Sequence, residues 1–248
     1  MPEPAPRPAV RARVFCLPYA GGSSLAYRSW PDLGPGVEAV ALDYPGRMMR
    51  PDEPLVDSVP GLVAALTDEL APFWDTPFVL CGSSLGSLVA FELARAAERA
   101  GHRPEAVVLC ACAAPGRLPR RAPVTDLPDA EFLAAVTERY DGAIGELSDD
   151  PQALELVLPG LRADIRAFER YAARTDPPGT IAADVIAFAG QQDRSTRFGE
   201  VAAWRARTTG DFQVRSVPGG HFFVARQPDQ VAGEIRARLG RAHPVAAS

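Results

Sequence analysis

Short apolar runs alternate along the chain with longer segments whose apolar residues recur at helical intervals. The apolar runs predict buried strands at residues 14–17, 37–42, 78–81, 106–112, 184–189 and 212–217. The periodic segments predict helices that end at residue 30 and at Gly101, and others over 56–73, 129–140, 151–158, 161–173, 196–207 and 230–239. Strands that alternate with crossover helices form parallel sheets with both faces covered. The pattern therefore predicts an α/β domain with a mostly parallel central sheet and helices on both faces.

One long segment interrupts this alternation. Residues from about 119 to 178 contain no convincing strand pattern, although three of the helical patterns fall there. We expect a helical insertion over the carboxyl ends of the strands, where it would act as a lid and shape the binding pocket. A helical layer that only extends the core is the alternative. The single domain is expected over 12–242, with a disordered, Pro- and Arg-rich arm at 1–11 and a flexible tail at 243–248.

Composition narrows the range of partners. The chain has 248 residues, 47% of them hydrophobic, which suits one sizeable core. Its formal net charge of -5 and the lack of a dense Lys/Arg run argue against nucleic acid. No apolar stretch approaches the length of a membrane span, and the first residues lack the apolar middle of a signal peptide, so we expect a cytoplasmic protein without a membrane partner. The four cysteines lie in apolar runs without metal-ligand spacing and are expected to be reduced core residues.

The sequence G-S-S-L-G at residues 82–86 joins a predicted strand directly to a predicted helix. This is the context of a nucleophile elbow, in which Ser84 would lie at the apex of a strained turn. Gly82 and Gly86 have no Cβ and would relieve the crowding around it. The helix start would supply the N–H of Leu85 to an oxyanion. The alternative is an ordinary Gly-rich turn between a strand and a helix.

Two further residues complete a triad in the chain order of α/β-hydrolases. Asp193 lies just past the strand at 184–189, where a carboxylate can reach a histidine at the carboxyl edge of the sheet. The chain has three histidines, His102, His221 and His243. Of these, His221 follows a predicted strand that comes after Asp193. The order Ser84, Asp193, His221 predicts a nucleophile, an acid and a base.

Two loops and one aromatic residue complete the candidate set. The Gly-rich loop at 18–24 follows the first strand, and its Ala20 N–H is a candidate for the second oxyanion donor, the alternative being a turn without a catalytic part. Asp43 and Arg47 follow the second strand and could lie near the site, but we expect them to hold the loop by ion pairs or backbone hydrogen bonds. Trp204 is expected to be a packing anchor.

Taken together, these motifs resemble the stand-alone type II thioesterases of modular polyketide synthases and nonribosomal peptide synthetases. The resemblance covers almost the whole chain, through FCLPYAGGSS, LDYPGRMMR followed by DEP, GSSLGSLVAFELAR, LPGLRADIRAFERY, AAWRARTTGDF and PGGHFF. It implies an α/β-hydrolase with a mobile helical lid that removes aberrant or stalled acyl groups held as thioesters on acyl or peptidyl carrier proteins. It also implies no cofactor of the enzyme's own, because the phosphopantetheine arm belongs to the carrier. Carried over, Ser84 is the nucleophile, Asp193 the acid and His221 the base, with Ala20 and Leu85 forming the oxyanion hole.

The sequence departs from the family pattern at two places. The elbow of these enzymes usually reads G-H-S-M-G, whereas Ser83 and Leu85 occupy the His and Met positions here, and the loop at 194–196 lacks the common proline. Two alternatives stay open. One is an acyltransferase or cyclase, in which a substrate hydroxyl or amine replaces water. The other is a weakly active binder of carrier proteins, which the unusual Ser83 suggests.

Overall fold

The computed structural model describes residues 9–140, 151–176 and 178–242, which form six strands and seven α-helices in these ranges. The strands are β1 (Ala12–Leu17), β2 (Val37–Ala41), β3 (Phe78–Ser83), β4 (Ala106–Cys110), β5 (Val185–Gly190) and β6 (Phe212–Val217). They form one sheet in the order β2-β1-β3-β4-β5-β6, and each neighbouring pair is parallel. The predicted parallel sheet is therefore confirmed. The central strands β3, β4 and β5 are buried throughout, which explains their continuous apolar runs.

Helices cover both faces of this sheet. They are α1 (Val59–Leu70), α2 (Leu85–Arg99), α3 (Asp129–Arg139), α4 (Pro151–Ala172), α5 (Phe198–Ala202), α6 (Phe223–Arg226) and α7 (Asp229–Ala242). Apolar residues of α1 and α2 pack in one core cluster, while those of α6 and α7 pack in a second cluster. The predicted α/β architecture, with helices on both faces of a parallel sheet, is therefore confirmed.

The helical insertion is also present, between β4 and β5. It contains α3 and α4, which pack together through a third apolar cluster that includes Phe132, Val136, Leu161 and Ile165. The prediction of two helices at 151–158 and 161–173 is wrong, because α4 is continuous and contains Pro159. Proline removes one helical hydrogen bond, but apolar residues before and after it pack into the same cluster, so tertiary packing outweighs the local break.

Two other predicted helices are shorter than expected. The helix expected through residue 30 is a 3-10 turn at Ser24–Tyr27. Ser29 and Trp30 instead donate side-chain hydrogen bonds to backbone carbonyls at 225 and 224, and these tertiary contacts replace a further helical turn. The segment at 196–207 contains α5 and then a 3-10 helix, Ala203–Arg207.

Trp204 is the packing anchor that was expected. It is fully buried, its Nε1 donates to the Cys112 carbonyl at 2.8 Å, and its ring lies 5.1 Å from that of Phe91. The cysteines are free and buried, also as expected: Cys16, Cys81, Cys110 and Cys112.

The boundaries at both ends fall partly outside the described residues. Of the expected arm at 1–11, residues 9–11 precede the first strand, and 1–8 lie outside the description, as does the expected tail at 243–248. Within the part of the chain that is described, no helix combines the length and the apolar character needed to cross a membrane.

Candidate active site

Ser84 lies at the junction of β3 and α2, in a backbone conformation that L-residues rarely adopt. Its φ is +52°, the strained geometry expected at the apex of an elbow. Its N–H donates to the Cys110 carbonyl at 2.8 Å, and its own carbonyl accepts from the Ser87 N–H at 2.9 Å. A Cβ on Gly82 would overlap the backbone of Gly86, so glycine is required for this close approach. The turn thus presents Ser84 between a buried strand and the start of a helix.

His221 and Asp193 form a buried hydrogen-bonded pair at the carboxyl edge of the sheet. His221 Nδ1 lies 2.9 Å from Asp193 Oδ2, and the two side chains are 3% and 1% exposed. Burial by itself would raise the pKa of Asp193. The hydrogen bond to His221, the charge of His221 and the bonds from Ser195 outweigh burial, so the pKa of Asp193 is lowered. Because Nδ1 is held by the carboxylate, Nε2 is the ring nitrogen available for proton transfer.

Ser195 is a residue of this site that the sequence analysis missed. Its Oγ donates to Asp193 Oδ1 at 2.6 Å and lies 2.8 Å from His221 Nδ1. The N–H groups of Ser195 and Thr196 donate to the same carboxylate oxygen at 2.8 and 3.1 Å. A hydroxyl residue two positions after an acid that ends a strand is a signal for such a turn.

Two cavities meet at Ser84. The larger contains about 950 Å³ of empty space, part of it open to solvent, and the smaller about 550 Å³. Both are lined by Ser84, Tyr140, Ile165 and His221. The insertion contributes walls to both, so α4 lies over the carboxyl edge of the sheet. A molecule bound across Ser84 would extend into a cavity on each side.

Tyr140 and Cys112 are two titratable groups beside this junction. The Tyr140 ring lies 5.3 Å from that of His221, and burial raises its pKa to about 12, so its hydroxyl is protonated at neutral pH. Burial, and to a smaller extent the charge of Asp193, raises the pKa of Cys112. The Cys112 thiol, which lines the larger cavity, is therefore protonated and is a poor rival to Ser84 as nucleophile.

Ala20 and Leu85, the predicted oxyanion-hole residues, both lie close to Ser84. Ala20 lines the smaller cavity together with Ser84. Leu85 is the first residue of α2, so its N–H is one of those that a helix leaves without an internal partner. The structure thus brings all five predicted site residues to the same edge of the sheet.

Asp43 and Arg47 hold loops, as expected. Asp43 accepts hydrogen bonds from the N–H and the hydroxyl of Ser24 at 2.7 and 3.0 Å, and this fixes the Gly-rich loop at 18–24. Arg47 forms an ion pair with Asp164 of α4 at 2.5 Å. Ser83, which occupies the position of the usual elbow histidine, is buried, and its Oγ has no hydrogen-bond partner among the described residues.

Acidic, histidine and cysteine side chains do not assemble into a candidate metal site in the described ranges. The buried Asp193–His221 pair and Ser84, which lines the same cavity as His221, indicate the class of serine hydrolases.

Comparison with known proteins places the chain within this class. The family model described as "Thioesterase domain" matches residues 12–239, and the chain belongs to this family. It is a hydrolase that acts on thioesters, and the resemblance to type II thioesterases is confirmed.

Individual relatives are similar over nearly their full length. Thioesterase PikA5 of Streptomyces venezuelae is 40% identical over 240 residues, which cover 96% of this chain and 83% of that protein. Among solved structures, the RedJ thioesterase from the prodiginine pathway of Streptomyces coelicolor has a TM-score of 0.83 and 32% identity, covering 96% of this chain and 97% of that one. The type II thioesterase BorB from the borrelidin cluster has a TM-score of 0.79 and 32% identity, with 94% of each chain covered.

Proposed function

We propose that this thioesterase hydrolyses acyl groups from the phosphopantetheine arms of acyl or peptidyl carrier proteins, through an acyl-enzyme on Ser84. The observation that carries the proposal is the buried Asp193–His221 pair, which meets Ser84 on the wall shared by two cavities. Two similar solved structures, ClbQ from the colibactin NRPS/PKS pathway and the type II thioesterase YbtT from the yersiniabactin NRPS/PKS pathway, support the choice of substrate class.

In the first half of the reaction, Ser84 attacks the thioester carbonyl while His221 Nε2 takes its proton. Asp193 keeps the Nδ1 proton in place and stabilises the imidazolium that forms, and the Ser195 hydroxyl fixes the orientation of that carboxylate. The N–H groups of Ala20 and Leu85 donate to the oxyanion. His221 then returns the proton to the departing thiolate.

In the second half, His221 removes a proton from water, which attacks the ester on Ser84; the bond to Ser84 Oγ breaks, His221 gives the proton to this oxygen, and the free acid is released. The two cavities accommodate the two arms of the substrate. The larger is rimmed by Arg120 and Arg121, both exposed, and we assign it to the arm that carries the phosphate, because guanidinium groups bind phosphate well. The smaller cavity, which Val136, Leu161 and Ile165 help to line, is assigned to the acyl chain. The insertion with α3 and α4 acts as a lid over both.

The test is intact-mass measurement of a panel of acyl-loaded carrier proteins before and after exposure to the enzyme. We expect loss of the acyl mass and release of the free acid with wild type, and a fall of several orders of magnitude with Ser84→Ala. Ser83→Ala is the matched control, because the neighbouring hydroxyl has no partner among the described residues. Near-normal turnover by Ser84→Ala would refute the mechanism. Ester or amide products in place of the acid would show a transferase or cyclase, and binding without turnover would show a carrier-binding protein.

A further inference from the structure

Asp164 of α4 is a fully buried carboxylate that connects the insertion to the Gly-rich loop. Its Oδ2 accepts a hydrogen bond from the Gly21 N–H at 2.8 Å, and its Oδ1 accepts from Arg47 Nη2 at 2.5 Å. Gly21 directly follows Ala20, the proposed oxyanion donor. A buried charge is costly unless it is paired and hydrogen-bonded, so both of these contacts are needed to hold Asp164 in place.

Arg47 is itself anchored to the body of the domain. Its Nη1 donates to the Pro45 carbonyl, and its Nη2 also donates to the Val56 carbonyl at 3.0 Å. The Arg47 side chain is 6% exposed, so its guanidinium has little freedom to follow α4 if the helix moves. Asp164 is thus held between a fixed cation on one side and the Gly21 N–H on the other.

A second residue of α4 contacts the same loop. Leu161 lies one helical turn before Asp164, and its side chain fills the space where a Cβ at Gly21 would be. Gly21 has φ of +72°, so it combines a left-handed backbone with this close approach. The face of α4 formed by Leu161 and Asp164 therefore packs directly on the turn that carries Ala20.

The turn itself determines where the Ala20 N–H points. The Gly22 N–H donates to the Tyr19 carbonyl at 2.9 Å, and this carbonyl belongs to the same peptide unit as the Ala20 N–H. In a planar trans peptide the N–H points opposite to the carbonyl. The bond from Gly22 thus fixes the peptide before Ala20, and the bond to Asp164 fixes the peptide after it.

We infer that Asp164 is a positioning residue for the oxyanion hole, through which the seating of the lid helix α4 sets the orientation of the Ala20 N–H. This inference rests on the proposed function, since it takes Ala20 as an oxyanion donor. Asp164 does not touch the reacting atoms. When α4 leaves the loop, the Gly21 N–H loses its acceptor, so the turn keeps only one of the two hydrogen bonds that fix the peptides on either side of Ala20, and the Ala20 N–H is held less firmly.

Two variants at this position separate the inference from a loss of folding. Asp164→Asn offers one acceptor to two donors, so either Arg47 or the Gly21 N–H loses its partner. The double variant Asp164→Leu/Arg47→Met removes the buried ion pair without leaving a charge unpaired, an exchange that proteins often tolerate, yet it also removes the acceptor for Gly21. Arg170→Ala is the matched control. It breaks another α4 ion pair, with Asp57 at 2.6 Å, that does not involve the Gly-rich loop.

The readout compares ligands that do and do not place a negative oxygen in the hole. One is a trifluoromethyl ketone analogue, which forms a tetrahedral adduct with Ser84, and the other is the matching thioether, which forms none. Removal of an oxyanion donor lowers kcat about 10²- to 10³-fold, so we expect misplacement to lower kcat and the affinity for the ketone roughly 10- to 100-fold. In the Asp164 variants, we expect the affinity for the thioether and the KM for a short acyl thioester to stay within about twofold of wild type. For Arg170→Ala, we expect kcat, KM and both affinities to stay within about twofold of wild type.

Equal weakening of both ligands by the Asp164 variants, or wild-type kcat in the double variant, would overturn the inference. These outcomes differ from a failure of the proposed function, in which wild type would form no ketone adduct on Ser84 or Ser84→Ala would keep its activity. If Asp164→Asn does not fold, the double variant gives the same comparison.

Discussion

The Ser195 hydroxyl is a part of the site whose contribution can be worked out from its contacts. Its Oγ donates to Asp193 Oδ1 at 2.6 Å, while three other donors, His221 and the N–H groups of Ser195 and Thr196, hold the same carboxylate. A hydrogen bond to a charged group contributes about 1.5–3 kcal/mol. Because three donors stay in Ser195→Ala, we expect the loss to lie at the lower end, near 1.5 kcal/mol, which is roughly a tenfold fall in kcat/KM.

The effect of Ser195→Ala on kcat/KM should also depend on pH. The bonds from Ser195 help to lower the pKa of Asp193, so their partial loss raises that pKa and lets the carboxylate accept a proton at higher pH. The kcat/KM of Ser195→Ala relative to wild type should therefore fall further at the acid end of the profile, where Asp193 of the variant takes up a proton at higher pH than Asp193 of wild type. The assay is hydrolysis of an acyl N-acetylcysteamine thioester across the pH range, with Ser195→Thr, which keeps the hydroxyl, as the control. Activity of Ser195→Ala within twofold of wild type at every pH, or an equal defect in Ser195→Thr, would refute the reasoning.

Three further predictions follow from particular contacts. Gly82→Ala places a methyl group against the backbone of the first turn of α2 and should lower the free energy of unfolding by about 3 kcal/mol or more. Calorimetry should therefore show a melting temperature at least about 6 °C below that of wild type. An unchanged melting temperature would contradict the elbow geometry. Burial raises the pKa of Asp164 from 3.8 to about 6, so the folded state binds this proton more tightly than the unfolded state, and the charged carboxylate costs stability as pH rises. Urea titrations should show the unfolding free energy of wild type minus that of Asp164→Asn falling by roughly 2 kcal/mol between pH 4 and 7, whereas a rise would contradict it. The double variant Arg120→Ala/Arg121→Ala should raise KM for carrier-bound substrates and leave KM for short thioesters without phosphate unchanged; equal effects on both would argue against the assigned phosphate side.

Most strands could be predicted because buried parallel strands are continuous apolar runs. The residues predicted for the last strand coincide with β6, and the buried runs of β3 and β5 were located to within two residues at each end. Helix boundaries were less predictable where long-range contacts decide them. Pro159 indicates a break by local rules, yet α4 continues through it because residues on both sides pack into one apolar cluster.

The candidate triad could be predicted because topology places it. Residues that follow the carboxyl ends of parallel strands meet at one edge of the sheet, so the positions of Ser84, Asp193 and His221 after β3, β5 and β6 are enough to bring them together. Asp164 has no such signal. It lies 143 residues from Gly21, and its contact depends on how the insertion folds back over the loop. The part played by Ser195 likewise depends on the path of a short loop, which the strand pattern does not specify.

The central claim is that the acyl group passes through Ser84. The most direct test is rapid chemical quenching of the enzyme during turnover of an acyl-loaded carrier protein, followed by mass spectrometry of its proteolytic peptides. The account predicts that the peptide containing Ser84 gains the mass of the acyl group and that Ser84→Ala shows no acylated peptide. Turnover without any acylated peptide, or with the acyl group on Cys112 or another residue, would contradict it.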